Sequence, residues 1–197
     1  SVEVLKNVPM PPGYSIVVAN TMVKHNLVES DYNKRRESCE RARDAIRQVC
    51  PQVKMLRDVD RKMLESCRDK MDAVDYRRAL HVVGEDERVM RGVAFLEKGD
   101  IRSFGELLFE SHESSRVNFE NSCPELDALV EIARSIPDCL GARLSGGGFG
   151  GITIHLVRHD AAEGYCNRLK TAYKAMTGKE TQTILCDIGD GASAQAL

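Results

Sequence analysis

Gly141-Ala-Arg-Leu-Ser-Gly-Gly-Gly-Phe-Gly-Gly-Ile-Thr-Ile-His-Leu-Val157 is the stretch from which the rest of this 197-residue chain can be read. Five of the six residues from Gly146 to Gly151 are glycine. Glycine loses the most backbone freedom on folding, so a cluster belongs where the chain needs positive φ or close approach. Ile152-Thr-Ile-His-Leu-Val157 follows, a β-branched run with strand character. A glycine loop opening into a buried strand points to a binding site at a sheet edge. The run formally satisfies G-x-G-x-x-G, but dinucleotide binding needs a helix after the glycines to meet the pyrophosphate. A strand follows here, which argues against a Rossmann unit. No Gly-Lys-Ser/Thr follows, so the loop is not a Walker A element either. From spacing alone, a tight, ligand-free strand connection stays open as an alternative.

Outward from this run, periodicity predicts a helix near Ala161–Met176 and a strand Thr181–Asp187 on the C-terminal side. The tail Gly189–Leu197 is small and polar and reads as an edge segment or a frayed end. On the N-terminal side, Ser122-Cys-Pro-Glu125 has the form of a capping box opening a helix Pro124–Arg134. Before it lie predicted helices Arg102–Arg116, with Phe104, Leu107, Leu108 and Ser111 at helical spacing, and Tyr76–Leu96, with Leu80, Val83, Met90, Val93 and Ala94 inward. A shorter helix spans Asp60–Met71. Ser30 is a good N-cap for a helix Asp31–Cys50 that carries Cys39, Ala42, Ile46 and Val49 on one stripe and stops at Pro51. Tyr14–Ala19 is a short strand after Pro11-Pro12-Gly13. Strands near both ends around a helical block make the fold α+β, with an antiparallel sheet of the ferredoxin-like kind. Ser1–Met10 reads as an arm that starts mid-chain, as in a fragment or processed piece.

Composition excludes several functions. The net charge of −2 comes from interspersed charges of both signs, which argues against a nucleic-acid surface. No apolar run reaches membrane-spanning length, and the N-terminus has no secretory pattern. The seven cysteines are scattered without a C-x-x-C pair and read as reduced, mostly core thiols of a cytoplasmic protein, not zinc ligands. His81 and Glu85, and likewise His112 and Arg116, stand one helical turn apart. One such pair is half a metal site at most, and ordinary side-chain pairing is the better account. His25 and His155 are lone histidines with no triad arrangement around them. The charge run Asn33-Lys-Arg-Arg36 reads as a solvated helix face. Tyr32 falls in the predicted first turn, where side chains can face a ligand, although a packed tyrosine is the plainer account.

Two segments together carry a family resemblance. Val23-Lys-His-Asn-Leu-Val-Glu-Ser-Asp-Tyr-Asn-Lys-Arg-Arg-Glu-Ser-Cys-Glu40 resembles the galactokinase pattern of a basic connector, a Ser-(Glu/Asp)-Tyr step and an Arg-Arg-x-x-Cys-Glu helix. Gly141–Gly151 resembles the third glycine motif of the same family, within the superfamily of galactokinase, homoserine, mevalonate and phosphomevalonate kinases (GHMP kinases). His81-Val-Val-Gly-Glu-Asp-Glu-Arg-Val89, Ser111-His112 and Ser122-Cys-Pro-Glu-Leu-Asp127 are similar to galactokinase as well. The likeness runs from about Tyr14 to Asp187.

The resemblance implies that residues 1–197 form a GHMP kinase C-terminal domain, with 1–13 a remnant of the connection from an N-terminal domain. It implies an ATP-dependent kinase that phosphorylates galactose to galactose 1-phosphate, with ATP and Mg²⁺ bound mainly by that other domain. The family's N-terminal sugar motif, phosphate loop and catalytic aspartate are not in these residues, so no catalytic residue is assigned to this chain, which alone is expected to be inactive. Tyr32 matches the tyrosine that hydrogen-bonds galactose, and Gly147 a glycine that lies against the sugar, with Gly146 and Gly148 shaping that backbone. One departure is Ile152, where galactokinases usually have Cys, and it is expected to alter packing more than chemistry. The alternatives are a non-catalytic, galactokinase-like sugar sensor, a kinase for N-acetylgalactosamine, arabinose or galacturonate, and a stand-alone ferredoxin-like module that binds a small molecule. Neither nucleic acid nor membrane is an expected partner.

Overall fold

Strand β1 (Tyr14–Asn20) begins directly after Gly13, whose φ of +89° lets the chain turn out of Pro11-Pro12. The structure, a computed structural model, describes residues 7–23 and 28–186. Helix α1 (Val28–Arg47) follows, then α2 (Arg61–Ser66), α3 (Ala73–Glu97), α4 (Ile101–Ser114) and α5 (Pro124–Ser135). Strand β2 (Cys139–Ser145), the glycine loop and β3 (Ile152–Arg158) come next, and α6 (Ala162–Thr177) and β4 (Gln182–Cys186) complete the order. The four strands form one sheet in the order β2-β3-β1-β4 with every neighbour antiparallel, which is the expected ferredoxin-like arrangement. Val17 stands opposite His155 in β3 and Leu185 in β4.

One face of the sheet buries Val17, Ala19, Ala142 and Val157 against α5 and α6, where Leu129, Tyr165, Leu169 and Tyr173 are fully buried. The other face packs Leu140 and Leu156, with Ile16 and Tyr14, against Ile101, Phe104 and Leu108. The α1–α3 block has its own core of Ala42, Ile46, Leu64, Ala79 and Val83. Helix α4 lies on β2 through bare backbone. A Cβ on Gly141 would stand 2.0 Å from the carbonyl oxygen of Gly105, and a Cβ on Gly105 would stand 2.3 Å from that of Leu140. No other residue fits at either position.

Several expectations need correction. Helix α1 starts at Val28, so Ser30 lies inside it; serine is only modestly unfavourable in a helix. It ends at Arg47 because Cys50, preceding Pro51, is biased away from helical ψ. Val49 therefore leaves the stripe and is 51% exposed. The predicted Asp60–Met71 helix breaks at Cys67 into a 3₁₀ turn, Arg68–Lys70, although Asp60 does cap α2 by accepting from the Met63 N–H. In α3, Met90 is exposed and so is Ala94. The inward face holds Arg78, Ala79, His81, Val83, Gly84 and Gly92, a stripe partly polar or bare that hydrophobic spacing passes over. Helix α4 gives way to a π turn, Ser115–Phe119. Ser122 makes no capping box. Its hydroxyl donates to Asp127 at 2.5 Å, Cys123 is the N-cap without a side-chain bond, and Pro124 takes the first helical position. The seven cysteines are free thiols, but only Cys67 and Cys139 are buried. His25, Ser1–Lys6, Asp187 and the tail Gly189–Leu197 lie outside the described residues.

Candidate functional site

The glycine loop departs from β2 at Ser145 and rejoins the sheet at Ile152, which stands between Asn20 and Ser145 in the ladder. Gly146, Gly148, Phe149, Gly150 and Gly151 all have positive φ, so the loop is a succession of left-handed turns that a substituted backbone would resist. Both of its ends are tied down. Gly151 O accepts from the backbone N–H of Thr21 at 2.8 Å and from its hydroxyl at 2.9 Å. At the other end, the Phe149 N–H donates to Asn121 O at 2.7 Å, and Asn121 Nδ2 donates to Gly147 O at 3.2 Å. Gly148 passes so close to this residue that a Cβ on it would lie 2.0 Å from Asn121 O.

Asn121 is presented to the loop by an irregular piece of backbone. The π turn Ser115–Phe119 ends in Glu120, a left-handed residue with φ +53°. Such turns recur at functional sites, where tertiary contacts hold a conformation that the local chain disfavours. Here Arg78, only 5% exposed, donates to Asn118 O and to the Glu120 carboxylate, and Arg77 also bonds that carboxylate. Its hydrogen bond with Arg78 holds Glu120 below the usual carboxylate range.

Tyr32 meets this assembly from α1. It stands at the start of the second helical turn, not in the first as predicted, because α1 begins earlier. Its ring is exposed, and its Cδ2 lies 3.9 Å from where a Cβ on Gly147 would be. Tyr32, Gly146 and Gly147 line one cavity of about 390 Å³, with Arg35, His81 and Asn121 among its other walls. Three of the four predicted residues thus share one cavity. Gly148 is turned away from it toward Asn121 and shapes the loop.

The histidines resolve differently from a metal site. His81 Nδ1 lies 3.0 Å from the Ser114 hydroxyl, and its ring stacks at 4.7 Å on Phe119. Burial lowers its pKa to about 4, so the ring beside the cavity is neutral at pH 7. Glu85 does not share a ligand with it. Burial pushes this carboxyl up, but Arg88, Ser111 and Arg143 outweigh that and hold it ionised. His112 Nδ1 accepts from the Leu144 N–H at 3.2 Å while Nε2 bonds Asp127 at 3.1 Å, and Arg116 pairs instead with Glu113. His155 is fully buried between Thr153 and Tyr165, each hydroxyl 2.6 Å from a ring nitrogen, and burial lowers its pKa to about 3.

Sequence reasoning missed Asn121, the Arg78–Glu120 pair and Arg35. Arg35 lies in the run read as a solvated face, yet its side chain is 14% exposed. Asn121 offered no signal of its own, because nothing in Asn-Phe-Glu-Asn announces a π turn.

The chain and its fold have counterparts among known proteins. Residues 93–175 match the family model described as GHMP kinases C terminal. Galactokinase of Roseiflexus sp. (strain RS-1) is 39% identical over 184 residues, covering 93% of this chain and 47% of that protein. Galactokinase of Homo sapiens is 39% identical over 186 residues, covering 94% of this chain and 45% of that protein. The crystal structure of Lactococcus lactis galactokinase complexed with galactose superposes with a TM-score of 0.87 at 31% identity, covering 94% of this chain and 48% of that one. The chain spans about half the length of the curated relatives it matches. Its mixed helices and four-stranded antiparallel sheet match the GHMP kinase C-terminal domain fold seen in galactokinase.

Proposed function

We propose that this chain is the C-terminal half of a galactokinase, with residues 1–197 its GHMP kinase C-terminal domain and 1–13 part of the connection from the preceding half. Its substrate is galactose, or a related sugar such as N-acetylgalactosamine, arabinose or galacturonate, and its phosphoryl donor is ATP. The observation that carries this is the approach of Tyr32 to Gly147 beside an open cavity, in a chain similar to a galactokinase solved with galactose.

The chemistry assigned to these residues is binding and orientation. The tyrosine hydroxyl can donate to one sugar hydroxyl and accept from another. Gly147 has no Cβ to hold the ring off, so the sugar can lie directly on the backbone. Among the described residues the cavity walls contain no Asp or Glu, and His81 is held by Ser114 and hard to protonate. The proton of the anomeric hydroxyl is therefore assigned to a base outside this chain. Among the described residues no three His, Cys, Asp or Glu side chains converge to hold a metal ion. The glycine loop, moreover, leads into a strand, so no helix N-terminus awaits phosphates there. Among the described residues, none is therefore assigned to Mg²⁺ or to the ATP phosphates. What the chain contributes to phosphoryl transfer is a positioned acceptor.

A cytoplasmic location accords with seven free thiols, and among the described residues no helix is long and apolar enough to cross a membrane. The test is ATP-dependent formation of galactose 1-phosphate, followed for the isolated chain and for the full-length protein containing it. Turnover by the full-length protein and none by the chain is expected. Turnover by the chain alone would overturn the division of labour. Galactose binding without turnover by the full-length protein would favour the sensor.

A further inference from the structure

We propose that Arg35 is a positioning residue for sugar binding, which holds Tyr32 at its distance from Gly147; the proposal rests on the sugar-kinase reading above. In the charge run from Asn33 to Arg36, Lys34 and Arg36 do face solvent, their side chains 65% and 71% exposed, while Arg35 folds inward at 14%. Its donors go to backbone oxygens on two sides. Nη1 donates to Asp31 O at 3.3 Å in its own helix, Nε to Phe119 O at 3.2 Å and Nη2 to Glu120 O at 2.6 Å. The guanidinium carbon lies over the Phe149 ring, 4.9 Å from its centre. One planar group thus touches the helix that carries Tyr32, the π turn and the glycine loop.

These contacts form a closed circuit. From Arg35 it runs through Phe119 and Glu120 to Asn121, which accepts from the Phe149 N–H and donates to Gly147 O. Gly147 then faces Tyr32, whose ring lies 3.9 Å from where a Cβ on Gly147 would stand and which comes three residues before Arg35 on the same helix. Two members of the circuit, Glu120 and Phe149, are non-glycine residues with positive φ, a conformation that persists only where the surroundings enforce it. Arg78 grips Asn118 and Glu120 but does not line the cavity, and of the lining arginines Arg36 bonds Glu40 and Arg143 bonds Leu144 O, whereas Arg35 touches all three segments. A guanidinium can donate in its plane and stack through its face at once. A lysine ammonium keeps the charge and loses both geometries. Small displacements of a substrate-positioning group are costly, so loosening this circuit weakens the sugar's hold without touching it directly.

The experiment is a double-mutant cycle in the full-length protein, with KM for galactose, KM for ATP and kcat measured throughout. Arg35→Lys is expected to raise the galactose KM about ten-fold, leaving kcat and the ATP KM within about two-fold. In a Tyr32→Phe background the same change is expected to raise it less than about three-fold, because the positioned hydroxyl is already gone. An unchanged galactose KM in Arg35→Lys, or equal increases in both backgrounds, overturns the proposal and leaves a structural arginine. If Arg35→Lys does not fold, Phe149→Leu, which removes only the stacking face, replaces it under the same criteria. An unsubstituted protein that turns over no galactose sinks the sugar-kinase reading and this proposal together, whereas normal turnover with an insensitive Arg35→Lys sinks only the proposal.

Discussion

Two glycines in this molecule meet a carbonyl oxygen at the same distance and serve different ends. A Cβ on Gly141 would lie 2.0 Å from Gly105 O, and a Cβ on Gly148 would lie 2.0 Å from Asn121 O. The first contact joins helix α4 to strand β2, two regular elements whose backbone groups are already committed to their own ladders. Neither can give way without moving the core around Leu140 and Leu156. The second joins two irregular segments, a π turn and a glycine loop, held by a few side chains beside an open cavity. The same steric fact therefore fixes the fold in one place and shapes a binding surface in the other.

Substitution at the two seams tests this directly. Gly141→Ala should cost at least about 4 kcal/mol, because backbone on both sides must shift. Urea denaturation measures it, and a loss below about 2 kcal/mol would mean that α4 and β2 separate easily.

Acid separates the two regions next. His155 in the sheet core and His81 beside the cavity have folded pKa values of about 3 and about 4, below the ordinary 6.5. The unfolded chain takes up these protons first, so the stability is fully present above about pH 6.5 and is lost as pH falls toward those values. Each histidine contributes a slope of up to about 1.4 kcal/mol per pH unit within its window. His81→Gln should flatten the slope between pH 6.5 and 4 and leave the part due to His155; an unchanged profile of denaturation midpoint against pH would show that His81 is not held neutral.

The smallest effects on stability lie in the loop. Gly148→Ala adds a strained left-handed alanine, at φ +82°, to a contact that the loop can partly relax, for a loss of about 2 kcal/mol. Among the described residues Gly147→Ala meets only the Tyr32 ring, at 3.9 Å, and should change stability by less than about 1 kcal/mol while, on the proposed sugar-kinase reading, raising the galactose KM of the full-length protein. If Gly147→Ala unfolded the chain as Gly141→Ala should, the distinction between seam and surface would fail.

Elements with a strong local signal were legible in advance. The strand Ile152–Val157, the helix near Ala161–Met176 and the strand from Thr181 follow from β-branched runs and one amphipathic helix, and over the described residues the structure places β3, α6 and β4 within a residue of them. Tyr32, Gly146, Gly147 and Gly148 were picked out by family likeness, and three of them share a cavity. Errors came where the signal was tertiary. The inward face of α3 is built of Arg78, His81, Gly84 and Gly92, whose burial depends on partners that other elements supply. Arg35 looked solvated because its neighbours in the run are. The carbonyls of Phe119 and Glu120, 84 and 85 residues away in sequence, draw it in.

By itself the sequence determined the elements and their alternation. Periodicity, caps and glycine are local properties, and a strand after the glycines was enough to argue against a dinucleotide loop. Tertiary structure alone decided which groups surround that loop. Asn121, Arg35 and the neutral His81 acquire their roles from burial and from hydrogen bonds between segments far apart in the chain. Those energies depend on distance in space, which no spacing along the sequence encodes.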